Sequence, residues 1–235
     1  SMTPIASCHS QLSAGRLRRE GLCGPLIVSP GLIPEDLKGI QPSSRAQPPF
    51  VLYAGRHIPD KRVESIPAAV ERARGAIPDL RLVIVGDGPT AADVRCEIAR
   101  LRAESWVDMP GFVPQSRLDE LMSTAACLIN PSRREGYGLV VVEAAGHGTP
   151  VVLVEGEGNA STELVESGVN GFVAPSVAAS DLADAIVRVV SADETLRQST
   201  RAWYDGAVLT RSIGKTVDQL LAVVETPAGT PFAPS

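Results

Sequence analysis

The stretch Phe50-Val51-Leu52-Tyr53-Ala54-Gly55 decides how the rest of the chain is read. It is a short, continuous apolar run that stops at a glycine. Downstream, Val63, Ile66, Val70, Ala73 and Ile77 recur at three- to four-residue intervals, the spacing of one helical face. Leu82-Val83-Ile84-Val85 repeats the first pattern and stops at another glycine, Gly86. Val94, Ile98 and Leu101 then mark a second helix, and further apolar runs follow at 125–129 and 151–154. Helical segments are expected near 115–124, 138–147, 161–167, 179–190 and 212–225.

Short apolar runs alternating with amphipathic helices make βαβ units and a parallel sheet. The runs are apolar throughout rather than alternating, so both faces of the sheet are covered. The expected fold class is α/β, a doubly wound, Rossmann-like parallel sheet. Its ligands bind at the carboxyl ends of the strands, so the residues after each strand carry the functional reading.

Outside this body the signals weaken. Residues 1–49 read as irregular, with one short apolar run at Leu26-Ile27-Val28, and Ser1-Met2 reads as an expression scar. The expected division is a tag remnant, connection and first strand over 1–49, the binding domain over 50–210, a helix over 211–225 and a disordered tail over 226–235. That tail is rich in Pro, Gly and Ala. Charge excludes some partners. Lys and Arg number 22 against 27 Asp and Glu, so no basic excess favours nucleic acid. No apolar run reaches the roughly 18 residues of a membrane span, and the start lacks the apolar core of a signal peptide. Cys8, Cys23, Cys96 and Cys127 form no Cys-x-x-Cys pair, and His9, His57 and His147 are scattered. Metal-ligand spacing is absent, and free thiols fit a reducing cytoplasm. Cys127 reads as a small core residue, and Asn159-Ala160-Ser161 is a sequon of little weight without a secretion signal.

Two strand ends hold the candidate chemistry. After the first comes Gly55-Arg56-His57-Ile58-Pro59-Asp60-Lys61. Arg offers a planar fork for phosphate oxygens and Lys a point charge, so Arg56 and Lys61 together suit a diphosphate. After the run at 125–129 comes Asn130-Pro131-Ser132-Arg133-Arg134-Glu135-Gly136-Tyr137-Gly138, and a helix begins near Gly138. The glycines admit close backbone approach, and free N–H groups at a helix N-terminus bind anions. Glu143 lies inside that helix, about 8 Å along the axis from its start. Glu135 and Glu143 therefore address different parts of one elongated ligand. The apolar neighbours of Glu143 imply that its carboxylate meets hydrogen-bond donors.

Glu135-Gly136-Tyr137-Gly138 with Glu143 resembles the Glu-x7-Glu motif of family 4 retaining glycosyltransferases, which have the two-domain GT-B fold. Gly55-Arg56 with Lys61 resembles that family's phosphate clamp, Val85-Gly86-Asp87-Gly88-Pro89 its strand-end turn, and Gly111-Phe112-Val113 the loop that holds the base. Gly148-Thr149-Pro150-Val151-Val152, Glu163-Leu164-Val165 and Asn170-Gly171-Phe172 continue the pattern, which covers roughly 50–190. The resemblance implies the C-terminal, donor-binding half of such an enzyme. Arg56 and Lys61 would neutralise the leaving diphosphate, helped by backbone N–H groups of Gly138, Leu139 and Val140. Glu135 would hold donor-sugar hydroxyls, Glu143 the ribose hydroxyls, and Val113 the base through its backbone. The donor implied is a UDP- or GDP-hexose, transferred with retention and with neither metal nor other cofactor. The acceptor domain would be missing, any peripheral membrane association would come only through it, and the chain alone would transfer nothing.

Three departures stand out. Arg62 stands where the family often has Gly, His147 where a small residue or Cys is common, and Gly158-Asn159-Ala160-Ser161-Thr162 replaces a Gly-Gly turn. His147 reads as a packed helix residue. Competing readings are a nicotinamide-dependent enzyme, from Gly86-x-Gly88-x-x-Ala91 after a strand, and a non-catalytic module that keeps the same pocket. Other GT-B enzymes share the fold without sharing the function.

Overall fold

A computed structural model describes residues 6–39 and 42–224. In chain order the strands are β1 (Ala6–Cys8), β2 (Leu26–Val28), β3 (Phe50–Ala54), β4 (Arg81–Val85), β5 (Val107–Gly111), β6 (Cys127–Asn130), β7 (Arg134–Glu135), β8 (Val151–Val154), β9 (Gly158–Asn159) and β10 (Gly171–Ala174). The helices are α1 (Gln11–Arg19), α2 (Ile66–Ala73), α3 (Ala91–Leu101), α4 (Gln115–Thr124), α5 (Leu139–Gly146), α6 (Ala179–Ser191), α7 (Asp193–Arg211) and α8 (Ile213–Val224).

Six strands form one parallel sheet in the order β10-β8-β6-β3-β4-β5. The chain runs outward from β3 through β4 to β5, then returns to lay β6 on the other side of β3. That reversal places the topological switch point, and hence the ligand crevice, at the carboxyl ends of β3 and β6. Strand residues alternate between two cores. Val51, Tyr53, Leu82 and Ile84 pack with α2, α3 and α6. Phe50, Leu52, Leu128 and Leu153 pack with α4, α5 and α7. Cys127, fully buried in the first core, has its thiol pushed up to about 12 by burial.

Some expectations need correction. The first 49 residues are not irregular throughout: β1 and β2 pair in parallel around α1. Ser10 caps α1 by accepting from the Ser13 N–H at 3.0 Å. The helix expected over 161–167 is a 3-10 turn, Ala160–Leu164. Local side chains hold that turn, with Asn159 donating to the Val154 carbonyl at 2.9 Å and Thr162 to the Asn159 carbonyl at 2.8 Å. Such bonds compete with helix formation. Asn159 and Ser161 of the sequon are fully buried. The tail over 226–235 and Ser1-Met2 lie outside the described residues. No described helix is long and apolar enough to cross a membrane.

Candidate functional site

A cavity of about 690 Å³ opens at the switch point, well inside the size range of small-molecule sites. Its floor comes from the end of β3, with Ala54, Gly55, Arg56 and Lys61. The turn into α5 supplies one wall, from Glu135 through Val140. The opposite wall comes from residues that the sequence did not single out as functional: Ser7, Cys8, His9, Ser13 and Leu32.

The two cations behave differently. Arg56 is exposed, and its side chain has no hydrogen bond or ion pair with any described residue. Tyr53 buttresses it from beneath, donating to the Arg56 carbonyl at 3.0 Å, with burial pushing the phenol well above its ordinary range. Lys61 is paired instead, to Oε1 of Glu135, and both side chains are mostly buried. The same oxygen accepts from Asn130 Nδ2 at 2.9 Å and Ser132 Oγ at 3.1 Å. Asn130 and Ser132 therefore fix the carboxylate, a role the sequence did not flag, although both lie in the run leading to Glu135. No described residue bonds Oε2 of Glu135.

At α5, Gly138 takes φ +99°, and a Cβ there would lie 2.5 Å from the Ser161 Cβ. Only glycine satisfies both conditions. Gly136 has open space around it. The first backbone bonds of α5 are Val141 and Val142 N–H to the Gly138 carbonyl. The N–H groups of Leu139 and Val140, at the cavity wall, have no backbone acceptor there, as the first turn of a helix requires. No acidic residue sits in that first turn, so the helix end itself offers an anion favourable partial charge.

The remaining expected residues lie outside the cavity. Gly86 and Gly111 continue the floor sideways: Gly86 N–H donates to the Gly111 carbonyl at 2.8 Å, and Gly55 N–H to the Val85 carbonyl at 3.1 Å. Phe112 projects from the sheet edge, 77% exposed, and Val113 packs into the second core. They form a shelf beside the cavity because β5 is the edge strand. Glu143 is half-buried along α5, and no donor among the described residues meets it. The donors expected from its apolar surroundings are absent. Burial first, then Asp119 and Asp36, raise its carboxyl above the ordinary 4.5.

The departures have physical readings. Arg62 sits at φ 50°, a left-handed conformation that favours glycine, and is held by a 2.7 Å bond from its Nε to the Pro131 carbonyl. His147 is buried at the C-terminus of α5, with burial lowering its value first. In the altered turn, Gly158–Asn159 pairs in register with Arg134–Glu135 and backs the wall that carries Glu135. The nicotinamide reading loses its basis. A Cβ on Gly88 would lie 2.4 Å from the His57 carbonyl oxygen, so that glycine serves close packing of two loops rather than a phosphate. His57 is buried beneath, edge-tilted on Tyr53 at 5.9 Å.

The N-terminal segment is fastened to this body. Glu163 accepts from the N–H groups of Gln11 at 3.0 Å and Leu12 at 2.7 Å. His9 Nδ1 lies 2.7 Å from Ser29 Oγ, and its ring stands edge-on to Tyr137, 6.4 Å between centroids. His9 follows β1, but without a legible strand before it the strand-end rule had nothing to act on.

Comparison with known proteins brings one family to this arrangement. The family described as glycosyl transferases, group 1, matches residues 38–204. An alpha-D-kanosaminyltransferase of Streptomyces kanamyceticus is 34% identical over 64% of this chain and 38% of its own length. A glycogen synthase of Mycobacterium tuberculosis is 36% identical over 66% of this chain and 36% of its own. The chain thus spans well under half the length of these relatives. Among solved structures, Anabaena HepE in complex with UDP and glucose superposes with a TM-score of 0.77 at 21% identity, covering 96% of this chain and 64% of that one. The pneumococcal O-GlcNAc transferase GtfA, in complex with UDP and GlcNAc, gives 0.76 at 19%, over 95% and 45%. At such identities these neighbours speak for the fold, the Rossmann-like half of a GT-B enzyme.

Proposed function

The chain belongs to the glycosyl transferases of group 1, and from that premise we propose that it is the donor-binding half of a retaining enzyme. The enzyme moves a hexose from a nucleoside-diphosphate sugar to an acceptor held largely by another domain. One observation carries this reading: Arg56, unpaired among the described residues, a lysine and the open N-terminus of α5 converge on one cavity at the switch point.

In this reading the diphosphate lies between Arg56 and the N–H groups of Leu139 and Val140. The task is electrostatic, since same-face transfer needs the leaving charge stabilised where it develops. Lys61, with three donors, keeps Glu135 and turns a remaining proton to the phosphate. Glu135 offers its unbonded Oε2 to a sugar hydroxyl. The nucleoside runs along the Gly55–Gly86–Gly111 shelf towards Val113, and its ribose supplies Glu143 with the donors the protein withholds. UDP is favoured over GDP because both neighbours above carry UDP. No resident metal or other cofactor takes part. The four cysteines are all free, and a reducing cytoplasm is the compartment proposed. The division at residues 49, 210 and 225 is retained, with α8 as the crossover. Its exposed Ile213, Val217 and Leu221 form a stripe that packs against the acceptor domain.

A melting panel of UDP, GDP, ADP and their sugars tests the reading, because a ligand that binds only the native state raises the midpoint by mass action. UDP and UDP-hexoses should raise it, and reduced nicotinamide should not. Flat responses to all nucleoside diphosphates, or turnover by the chain alone, would overturn it.

A further inference from the structure

Behind the cavity wall lies a second feature that the donor reading leaves unused. A groove of about 540 Å³ runs between α1 and the β7–β9 ribbon, with Arg16, Arg19, Arg133 and Arg134 in its lining against Glu20 and Glu157. The chain as a whole is net negative, at −5, so four guanidiniums at one place are a local inversion. Two of them are occupied: Arg16 by Glu20 at 2.8 Å, and Arg133 by Asp60 at 2.8 Å. Arg19 and Arg134 have no hydrogen bond or ion pair with any described residue. Arg134 precedes Glu135 on β7, so the two side chains point to opposite faces. One faces the cavity and the other the groove. Gly158 makes room for it, since a Cβ there would lie 3.0 Å from the Arg134 Cγ.

The groove is joined to the main cavity by shared walls. His9 and Tyr137 line both the cavity and a neighbouring hollow of about 290 Å³. Gln11 lines that hollow and the next, and Arg19 and Glu157 line the next and the arginine groove. Gln11, Gly15 and Arg19 fall four residues apart on one face of α1, and Gly15 leaves that face open. Along the helix this track covers about 12 Å at 1.5 Å per residue.

We propose that the track is an acceptor subsite in which Arg19 and Arg134 hold a phosphate or diphosphate group of an elongated acceptor. The reacting hydroxyl lies at the His9–Tyr137 end, beyond the roughly 12 Å that α1 spans from Arg19 to Gln11. A guanidinium pair suits such an anion because it is planar and permanently charged. This rests on the donor reading for the identity of the main cavity. The group belongs either to a soluble phosphorylated acceptor or to a lipid headgroup.

The test titrates the chain, with UDP saturating the donor cavity, with inorganic pyrophosphate and separately with phosphatidylcholine vesicles with and without phosphatidic acid. Pyrophosphate binding that persists under UDP assigns a soluble acceptor, and binding only to phosphatidic acid vesicles assigns a lipid. The double variant Arg19→Glu/Arg134→Glu should lose at least tenfold in the positive arm, with UDP affinity and melting temperature unchanged, while Arg19→Lys/Arg134→Lys keeps most of the binding. Binding in neither arm, displacement of pyrophosphate by UDP, or a charge-reversed variant that binds as well as the parent would overturn the proposal. Failure of UDP itself to bind would instead count against the donor reading.

Discussion

Glu135 and Glu143 stand eight residues apart, yet the protein treats them in opposite ways. Glu135 receives Lys61, Asn130 and Ser132 on one oxygen. Glu143 receives nothing from the described residues and has Asp119 and Asp36 as its charged neighbours. The first carboxylate is built into the fold, with one oxygen to spare. The second is half-buried and meets no donor among the described residues, so burial works against its charged form. A repeated residue type at a fixed spacing therefore does not imply a repeated role.

The largest expected effect comes from stripping the cations beside Glu135. Arg56→Ala/Lys61→Ala should weaken nucleoside-diphosphate binding by two decades or more, taking about 1.5–3 kcal/mol for each charged hydrogen bond, as read by calorimetric titration. The single variants divide the effect. Arg56→Ala should leave the melting temperature of the free protein unchanged, because nothing described leans on it. Lys61→Ala should lower it, at about 1–3 kcal/mol for stranding a buried partner. Equal melting temperatures for the two would break the comparison at its first term.

Glu143→Gln is next. It should weaken every ribonucleotide about tenfold, whatever its base or sugar, the scale of one hydrogen bond to a charged group. Loss confined to one sugar would contradict a ribose role. The free protein should gain stability at neutral pH. A raised folded-state value means the native chain keeps that proton to higher pH than the unfolded chain, so stability falls as pH rises above the ordinary 4.5. The gain from the substitution should be complete above the raised folded-state value, fade as pH drops from there towards 4.5, and vanish below it, which melting curves across that range will show.

Smaller effects sharpen the picture. Ser132→Ala removes one of the donors on Glu135 and should cost about 0.5–1.5 kcal/mol, measured as donor-sugar affinity and chemical denaturation midpoint. Arg62→Gly relieves a left-handed backbone but forfeits the bond to Pro131, and the two should cancel to within about 1 kcal/mol. A large loss would mean that the Arg62 bond, not the backbone, sets that turn.

Most of the sheet was legible because β3, β4, β6 and β8 lie inside it and read as unbroken apolar runs. β5 was not, being an edge strand whose residues alternate in exposure and include Pro110, which an edge tolerates. α7 was hidden for a different reason. Its buried face includes Arg197 and Arg201, 2% and 6% exposed. Their guanidiniums donate to carbonyls, of Ala125 and Ser43 for Arg197 and of Gly146 for Arg201, and Arg201 also forks onto the Asp205 carboxylate. Buried arginines look like surface to any hydrophobic count. In the site, Arg56, Lys61 and the cavity wall from Glu135 through Val140 were legible from strand ends and glycines. The supports, Asn130 and Ser132, were not, because ordinary polar residues gain meaning only from what they face. His9 was lost with the strand before it.

The glycine floor sets limits on redesign. A Cβ on Gly86 would come within 2.0 Å of the Gly55 carbonyl oxygen, and φ there is +114°. Every side chain at that position breaks the backbone stacking before it can reach any ligand on the floor. Phe112, open to solvent at the sheet edge, is where variation is free, and under the proposed donor reading selection for a new base should concentrate its changes there.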